Sequence, residues 1–435
     1  MDKRRYTITN STVGDVNAVG GTDVKATRHC NIIFATLTEE QASILKRKGA
    51  TVTEQIPVKA TTMVSIPKEE IAPPLPIEAG PTYTPSQLVE ILGFDEARKL
   101  TDPELSGAGI NIVVVDSGIR KTHSAIGEDR IVYEHDYTGS DNPSDVFDHG
   151  TGVAHAILTA APKANILNLK VLGSDGFGSP EHLINAIDYC ITLHDNGNDY
   201  APRIINLSLG INYEDTIGYE DPVRLICREA IANNIWVIAA AGNAGYDPET
   251  DSVVPSSIMV PAVEKHVLAV GSCSFNPFRV SDWSSRGPSP ESPYITKPDA
   301  VFLGENLYVA SSRHDTAHIA KSGTSYATPF VAGICALYQE AVYHQIVQYP
   351  EYMFRPAKEI WEIIRIEDLI DTHLIKFCIR PWEAGAGKDN DYGYGLPYGT
   401  LFMKGFMHRP EHDRVKLITS LVTIGMLGMI IRAIS

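Results

Sequence analysis

Ser322-Gly-Thr-Ser-Tyr-Ala-Thr-Pro-Phe-Val-Ala-Gly333 decides how the rest of the chain is read. Small residues and a Thr lead into Ser325, and an apolar run at helical spacing follows through Phe330, Val331, Ile334, Leu337 and Tyr338. A Ser at the mouth of a buried helix faces free N–H groups and the positive end of the helix dipole, which suits an oxygen that must carry negative charge. Pro329 is expected early enough in the helix that its missing N–H costs nothing. Alone, the stretch also fits a capped core helix. A nucleophilic Ser needs a base and a group to orient that base, and the upstream chain supplies both.

Asp116 ends the apolar run Asn111-Ile-Val-Val-Val115, so a carboxylate stands at a strand terminus. His149 opens the helical pattern of Asp148-His-Gly-Thr-Gly-Val-Ala-His155, and Asn243 closes the strand and turn Trp236-Val-Ile-Ala-Ala-Ala-Gly-Asn243. Each piece alone reads as a turn or a helix start. In the order Asp, His, Ser, with an Asn to donate an N–H, they make a triad with an oxyanion donor. In that reading His149 takes the Ser325 proton, Asp116 holds the imidazole, and Asn243 works with the Ser325 backbone N–H.

Around these residues, apolar strands (164–171, 203–207, 235–240, 267–271) alternate with helical patterns (149–160, 180–194, 222–233). The expected fold is α/β, a doubly wound, mostly parallel sheet with helices on both faces, plus a small α+β N-terminal domain. Chemistry then collects at the carboxyl ends of the strands. Domain boundaries are expected at 1–70 (N-terminal domain), 71–83 (a Pro-rich linker), 84–402 (the main domain) and 403–435 (a C-terminal extension with an apolar helix). Residues 1 to about 30 show no clear periodicity. After them come a strand, a helix capped by Thr38 and Gln41, and a second strand over Ala50–Val58.

The chain has 435 residues and a formal charge of −16, which argues against a nucleic-acid partner. The N-terminus carries no apolar run after its charges, and the six cysteines show no pairing pattern, which points to an intracellular protein with free thiols. No His-Glu-x-x-His or Cys/His cluster marks a metal hydrolase. The apolar stretch Leu417–Ile431 reaches roughly 23 Å as a helix at about 1.5 Å per residue, short of a bilayer core of about 30 Å. It reads as a helix that docks on protein or on a membrane.

Over roughly residues 84 to 402 the chain resembles the subtilisin-family serine endopeptidases. Asp116-Ser-Gly-Ile matches the family's Asp block, His149-Gly-Thr its His block, Ala241-Gly-Asn243 its oxyanion block and Gly323-Thr-Ser-Tyr-Ala-Thr-Pro its Ser block. The resemblance implies a subtilisin-like fold and hydrolysis of polypeptides through an acyl-enzyme on Ser325. It also implies that Lys170, Leu172 and Gly173 on one side, with Ser208, Leu209 and Gly210 on the other, flank an extended substrate, and that Met259 makes the specificity pocket shallow. Thr36–Ala42 and Ala50–Pro57 resemble the second half of the family's inhibitory propeptide, which implies that the N-terminal domain is an intramolecular inhibitor, cleaved within about residues 60 to 85. Two departures stand out. Gly152 replaces a second His, and the loop that carries the family's strong calcium site is missing, so no metal or cofactor is expected beyond a weak calcium site. The acidic residues Asp141, Asp145 and Asp148 read as surface charge. Two alternatives stay open: a maturation protease that cuts only itself or one assembly partner, and a catalytically silent scaffold on the same fold.

Overall fold

A computed structural model describes residues 2–61, 83–346 and 364–397, apart from 100, 102, 198, 276, 371–373, 375–377, 382–383 and 385–386. The C-terminal extension and the Pro-rich linker, Tyr83 excepted, lie outside the described residues.

Residues 3–26, which have no evident periodicity, form β1 (Lys3–Thr9), α1 (Val13–Ala18) and β2 (Thr22–Ala26). β3 (Ile33–Thr38), α2 (Glu39–Arg47) and β4 (Thr51–Glu54) follow. β1 lies between β3 and β4, antiparallel to both, in the order β2-β3-β1-β4. The Thr38–Gln41 capping box forms as the sequence implies, the Gln41 side chain accepting from the Thr38 N–H at 2.8 Å. The single strand expected over Ala50–Val58 is in fact two. Pro57 has no N–H to donate, so the ladder stops, and β5 (Val58–Ala60) leaves for a different sheet.

The central strand β3 of this small sheet is largely buried on both faces. Ile33, Ala35 and Leu37 pack on α2 residues such as Leu45, whereas Ile32 and Phe34 join the core of the large domain. Polar contacts fix the docking. Arg5 donates two hydrogen bonds to the Glu181 carboxylate, at 2.8 and 2.9 Å, and Asp188 accepts from the backbone N–H groups of Arg28 and His29.

In the large domain, α3 (Pro85–Ile91) and α4 (Phe94–Arg98) lead into β6 (Asn111–Asp116). Next come β7 (Ile131–Asp136), α5 (Gly150–Ala160), β8 (Asn165–Lys170), β9 (Phe177–Gly178), α6 (Pro180–Asp195), β10 (Ile204–Leu207) and β11 (Leu209–Gly210). The domain continues through α7 (Pro222–Ala232), β12 (Trp236–Ala240), the short β13 (Tyr246–Asp247) and β14 (Ser252–Val253), and β15 (Leu268–Phe275). β16 (Phe278–Val280), β17 (Ala300–Leu303), β18 (Leu307–Ala310), β19 (His318–Lys321) and α8 (Thr324–Ile346) complete the frame.

The main sheet runs β16-β15-β12-β10-β6-β8-β7, with β17 also on β15, and every pair but β15–β16 is parallel. Side chains alternate across each strand. Ile112 and Val114 therefore face the core built with α5 and α8, and Val113 and Val115 face that built with α6 and α7. From β6 the chain builds outward to β8 and β7 on one side, then crosses to β10 on the other. Such a reversal opens a crevice beyond the strand ends, and Asp116 stands at its edge. Only residues 161–164 connect α5 to β8, so no inserted loop interrupts this passage.

Candidate active site

Asp116 is fully buried at the end of β6, where its Oδ1 accepts from the Ser117 N–H at 2.7 Å and lies 2.8 Å from His149 Nδ1. His149 is the N-cap residue of α5. Close approach requires Gly150: a Cβ there would sit 2.2 Å from the Gly118 carbonyl oxygen and 3.1 Å from Asp116 Oδ1. Bonded to Asp116 through Nδ1, the imidazole keeps Nε2 free to accept a proton. Among the described residues, neither His149 Nε2 nor Ser325 Oγ, both buried, has a hydrogen-bond partner. The Tyr326 ring, one residue on from Ser325, packs 5.3 Å from the imidazole centroid.

Asp145 is not the surface charge its acidic neighbourhood suggests. Its Oδ1 accepts from Ser117 Oγ at 2.8 Å and from the Asp148 N–H at 2.9 Å, and its Oδ2 from the Thr151 N–H and hydroxyl at 3.0 and 2.7 Å. One buried carboxylate thus ties the turn after Asp116 to the first turn of the His149 helix. No local signal marked it, since Asp145 stands four residues before the N-cap His149, outside the position from which a side chain ordinarily caps a helix. Gly152, the departure from a second His, also has a packing reason. A Cβ there would lie 3.1 Å from the Tyr326 ring and 2.9 Å from Val309, so the bulk sits on Tyr326 instead.

Ser325 lies in the first turn of α8. Pro329 falls in the second turn rather than the first, so the Ser325 carbonyl loses its helical donor. Ser208 Oγ donates to that carbonyl at 2.8 Å and replaces the missing N–H. Asn243 is held by its other end: its Oδ1 accepts from the Thr324 N–H at 3.0 Å and hydroxyl at 2.9 Å. This fixes the amide so that Nδ2 points into the cleft, where it donates to the Thr61 carbonyl at 2.5 Å.

Thr61 directly follows β5, and β5 lies along the cleft. β5 is the middle of a three-stranded antiparallel sheet, with Leu209–Gly210 on one side and Phe177–Gly178 on the other. The Ala60 N–H donates to the Gly176 carbonyl and the Thr61 N–H to the Ser208 carbonyl, both at 3.1 Å. Leu209 and Gly210 therefore pair with β5, and the Ser208 carbonyl accepts from the Thr61 N–H. The opposite wall is corrected. It is Gly176–Gly178, not Lys170, Leu172 and Gly173. Lys170 is buried, its ammonium donating to the Asn142 and Ser144 carbonyls at 2.8 and 3.1 Å. Leu172 packs in the core, and the Gly173 N–H closes a turn onto the Phe177 carbonyl. The chain turns back at 173–176, which carries the edge that pairs with β5 on to 176–178. Met259 is buried beside Gly210 and Gly242, at positions their Cβ atoms would otherwise claim.

His155 points elsewhere, accepting the Ala310 N–H at 3.0 Å. All six cysteines are free. Among the described residues, no group of three or more His, Cys, Asp or Glu is placed to hold a metal ion, and no helix is long and apolar enough to cross a membrane.

The profile of the subtilase family matches residues 107–395. The chain is 33% identical over 265 residues to serine protease AprX of Bacillus subtilis (strain 168), an alignment spanning 54% of this chain and 57% of that protein. It is 29% identical over 278 residues to the major intracellular serine protease of the same organism, covering 59% of this chain and 78% of the relative. With an intracellular serine protease of Paenibacillus polymyxa it shares 30% identity over 251 residues, 54% of this chain and 68% of the relative. The chain spans just over half the length of AprX, and 52% of subtilisin-like protease 1 of Pseudogymnoascus destructans. The match runs from before β6 to beyond α8, takes in Asp116, His149, Asn243 and Ser325, and shows that this chain belongs to the subtilase family.

Proposed function

We propose that the protein is a serine endopeptidase that acts through an acyl-enzyme on Ser325. His149 is its general base and acid, Asp116 orients His149, and Asn243 donates to the oxyanion. The N-terminal domain holds the enzyme inhibited by laying β5 along the cleft. One observation carries this reading: a backbone carbonyl, that of Thr61, accepts a hydrogen bond from Asn243 Nδ2 at 2.5 Å, where the oxyanion of an attacked peptide bond would develop. Strand addition on both sides of β5 supports it, since main-chain pairing is how an extended peptide is gripped irrespective of sequence. The two-domain interface, with Arg5 on Glu181 and Arg28 and His29 on Asp188, supports retention of the domain as an inhibitor. The reaction draws on no cofactor. Free thiols and the names of two relatives support an intracellular site of action.

The test is hydrolysis of a casein-type substrate before and after a trace of trypsin nicks the segment between residues 61 and 83. The expected result is a low rate that rises on nicking. No hydrolysis after nicking and removal of the N-terminal domain would exclude a general endopeptidase. Self-cleavage without casein hydrolysis would instead favour a maturation protease.

Asn243→Ala is expected to lower kcat by about 10²–10³-fold with little change in KM, a magnitude borrowed from the equivalent loss in a subtilisin. Steady-state kinetics on a peptide substrate check this. A change confined to KM would place Asn243 in ground-state binding instead.

A further inference from the structure

Thr61 meets the cleft through three atoms. Its N–H and its side-chain hydroxyl both donate to the Ser208 carbonyl, at 3.1 and 2.9 Å, and its own carbonyl accepts from Asn243 at 2.5 Å. Thr61 is buried, 3% exposed, so its side chain is enclosed rather than left in solvent. The slot that receives it lies between Ser208–Gly210 and Ala241–Asn243. Met259 packs beside both walls, its N–H donating to the Ala241 carbonyl at 2.9 Å. Built Cβ atoms on Gly242 and Gly210 would come within 2.7 Å of the Met259 sulfur and 3.3 Å of its terminal methyl. The thioether thus lies between Gly210 and Gly242, one on each of the two walls. Further along, Val58 is fully buried in the core shared with α6 and α7, so an apolar residue is gripped three positions before Thr61.

We infer that this site cuts after threonine. The processing bond is the peptide bond on the carboxyl side of Thr61, and Met259 limits the acyl-side pocket to residues of about threonine's size. The inference rests on the endopeptidase reading. In the cut, Ser325 Oγ forms a bond to the Thr61 carbonyl carbon as its proton passes to His149. The C–N bond breaks, and that proton goes to the departing amine of the next residue. Water then attacks the Thr61–Ser325 ester, giving a Thr61 carboxylate and free Ser325. The N-terminal domain is left with Thr61 as its last residue, still paired to Gly176–Gly178 and Leu209–Gly210, an inhibitor that presents its own product end.

The experiment uses the matured enzyme with its N-terminal fragment removed, on fluorogenic peptides Val-Lys-Ala-X in which X is Thr, Ser, Ala, Val, Leu or Phe. Fluorophosphonate labelling of Ser325 is the control for a competent site. The expected kcat/KM is highest for Thr, about 3–10-fold lower for Val, which lacks the hydroxyl donor, and about 100-fold lower for Phe, which the pocket cannot hold. Met259→Gly and Met259→Ala, checked by the same labelling, should raise the Phe rate at least about 10-fold. The mass of the released fragment should correspond to a chain ending at Thr61. A labelled enzyme that prefers Phe or Leu, cleaves none of the panel, or releases a fragment ending elsewhere overturns the inference and leaves the protease reading intact. An enzyme that neither labels nor cleaves overturns both.

Discussion

Ser325→Ala is expected to remove turnover almost completely, by about 10⁶-fold in kcat, a magnitude known for a subtilisin rather than derived from this geometry. The reason is chemical. Without Oγ there is no atom to form the ester, and the oxyanion donors alone give only a small residue of catalysis. The substitution is also expected to leave stability within about 1 kcal/mol. Ser325 Oγ has no hydrogen-bond partner among the described residues, so its removal orphans nothing. A protein with an unchanged melting temperature, no hydrolysis and an uncleaved N-terminal domain is the predicted phenotype. Residual activity above about a hundredth of the parent would mean that another group attacks the substrate.

Asp116→Asn should cost about 10⁴-fold in kcat, again by analogy with the same change in a serine protease triad. Asp116 Oδ1 accepts from both the Ser117 N–H and His149 Nδ1. An amide that turns its nitrogen toward His149 donates where the carboxylate accepted. The imidazole proton then moves to Nε2, and the atom that should take the Ser325 proton already carries one. An amide also cannot balance the imidazolium formed during attack. The same turn sets the amide nitrogen against the Ser117 N–H, which loses its acceptor, so a stability loss of about 1–3 kcal/mol is expected beside the kinetic effect, with the fold retained. Kinetics beside a thermal melt separate the two effects. A fall in melting temperature that parallels the lost activity would make Asp116 a structural residue instead.

The parts of this molecule that were legible in the sequence are those where local pattern and final environment agree. Ile112–Val115 is uniformly apolar because both faces of its strand are covered, and Asp116 is conspicuous at its end. Thr38 and Gln41 cap α2 through bonds three residues apart, which sequence spacing can reveal. β1 was not legible. Of Lys3–Thr9 only Tyr6 and Ile8 are apolar, and Thr7 and Thr9 are buried as well. Asp145 was misread for a similar reason: a buried carboxylate with several donors around it carries the same letter as a solvated one. The cleft wall was displaced from 170–173 to 176–178 because local bonds, from the Gly173 N–H to the Phe177 carbonyl and from the Gly176 N–H to the Gly173 carbonyl, turn the chain back before Phe177–Gly178 pairs with β5, and the Ser-Asp-Gly at 174–176 was the signal for that turn.

The most direct test of the account is the intact mass of the purified protein after treatment with a fluorophosphonate, with Ser325→Ala alongside. The account predicts one label per chain, located on Ser325, absent from the variant, and gained faster once the strand ending at Thr61 has been removed from the cleft. A folded protein freed of its N-terminal domain that takes no label, or takes it equally in the variant, would contradict the assignment of Ser325 as an activated nucleophile.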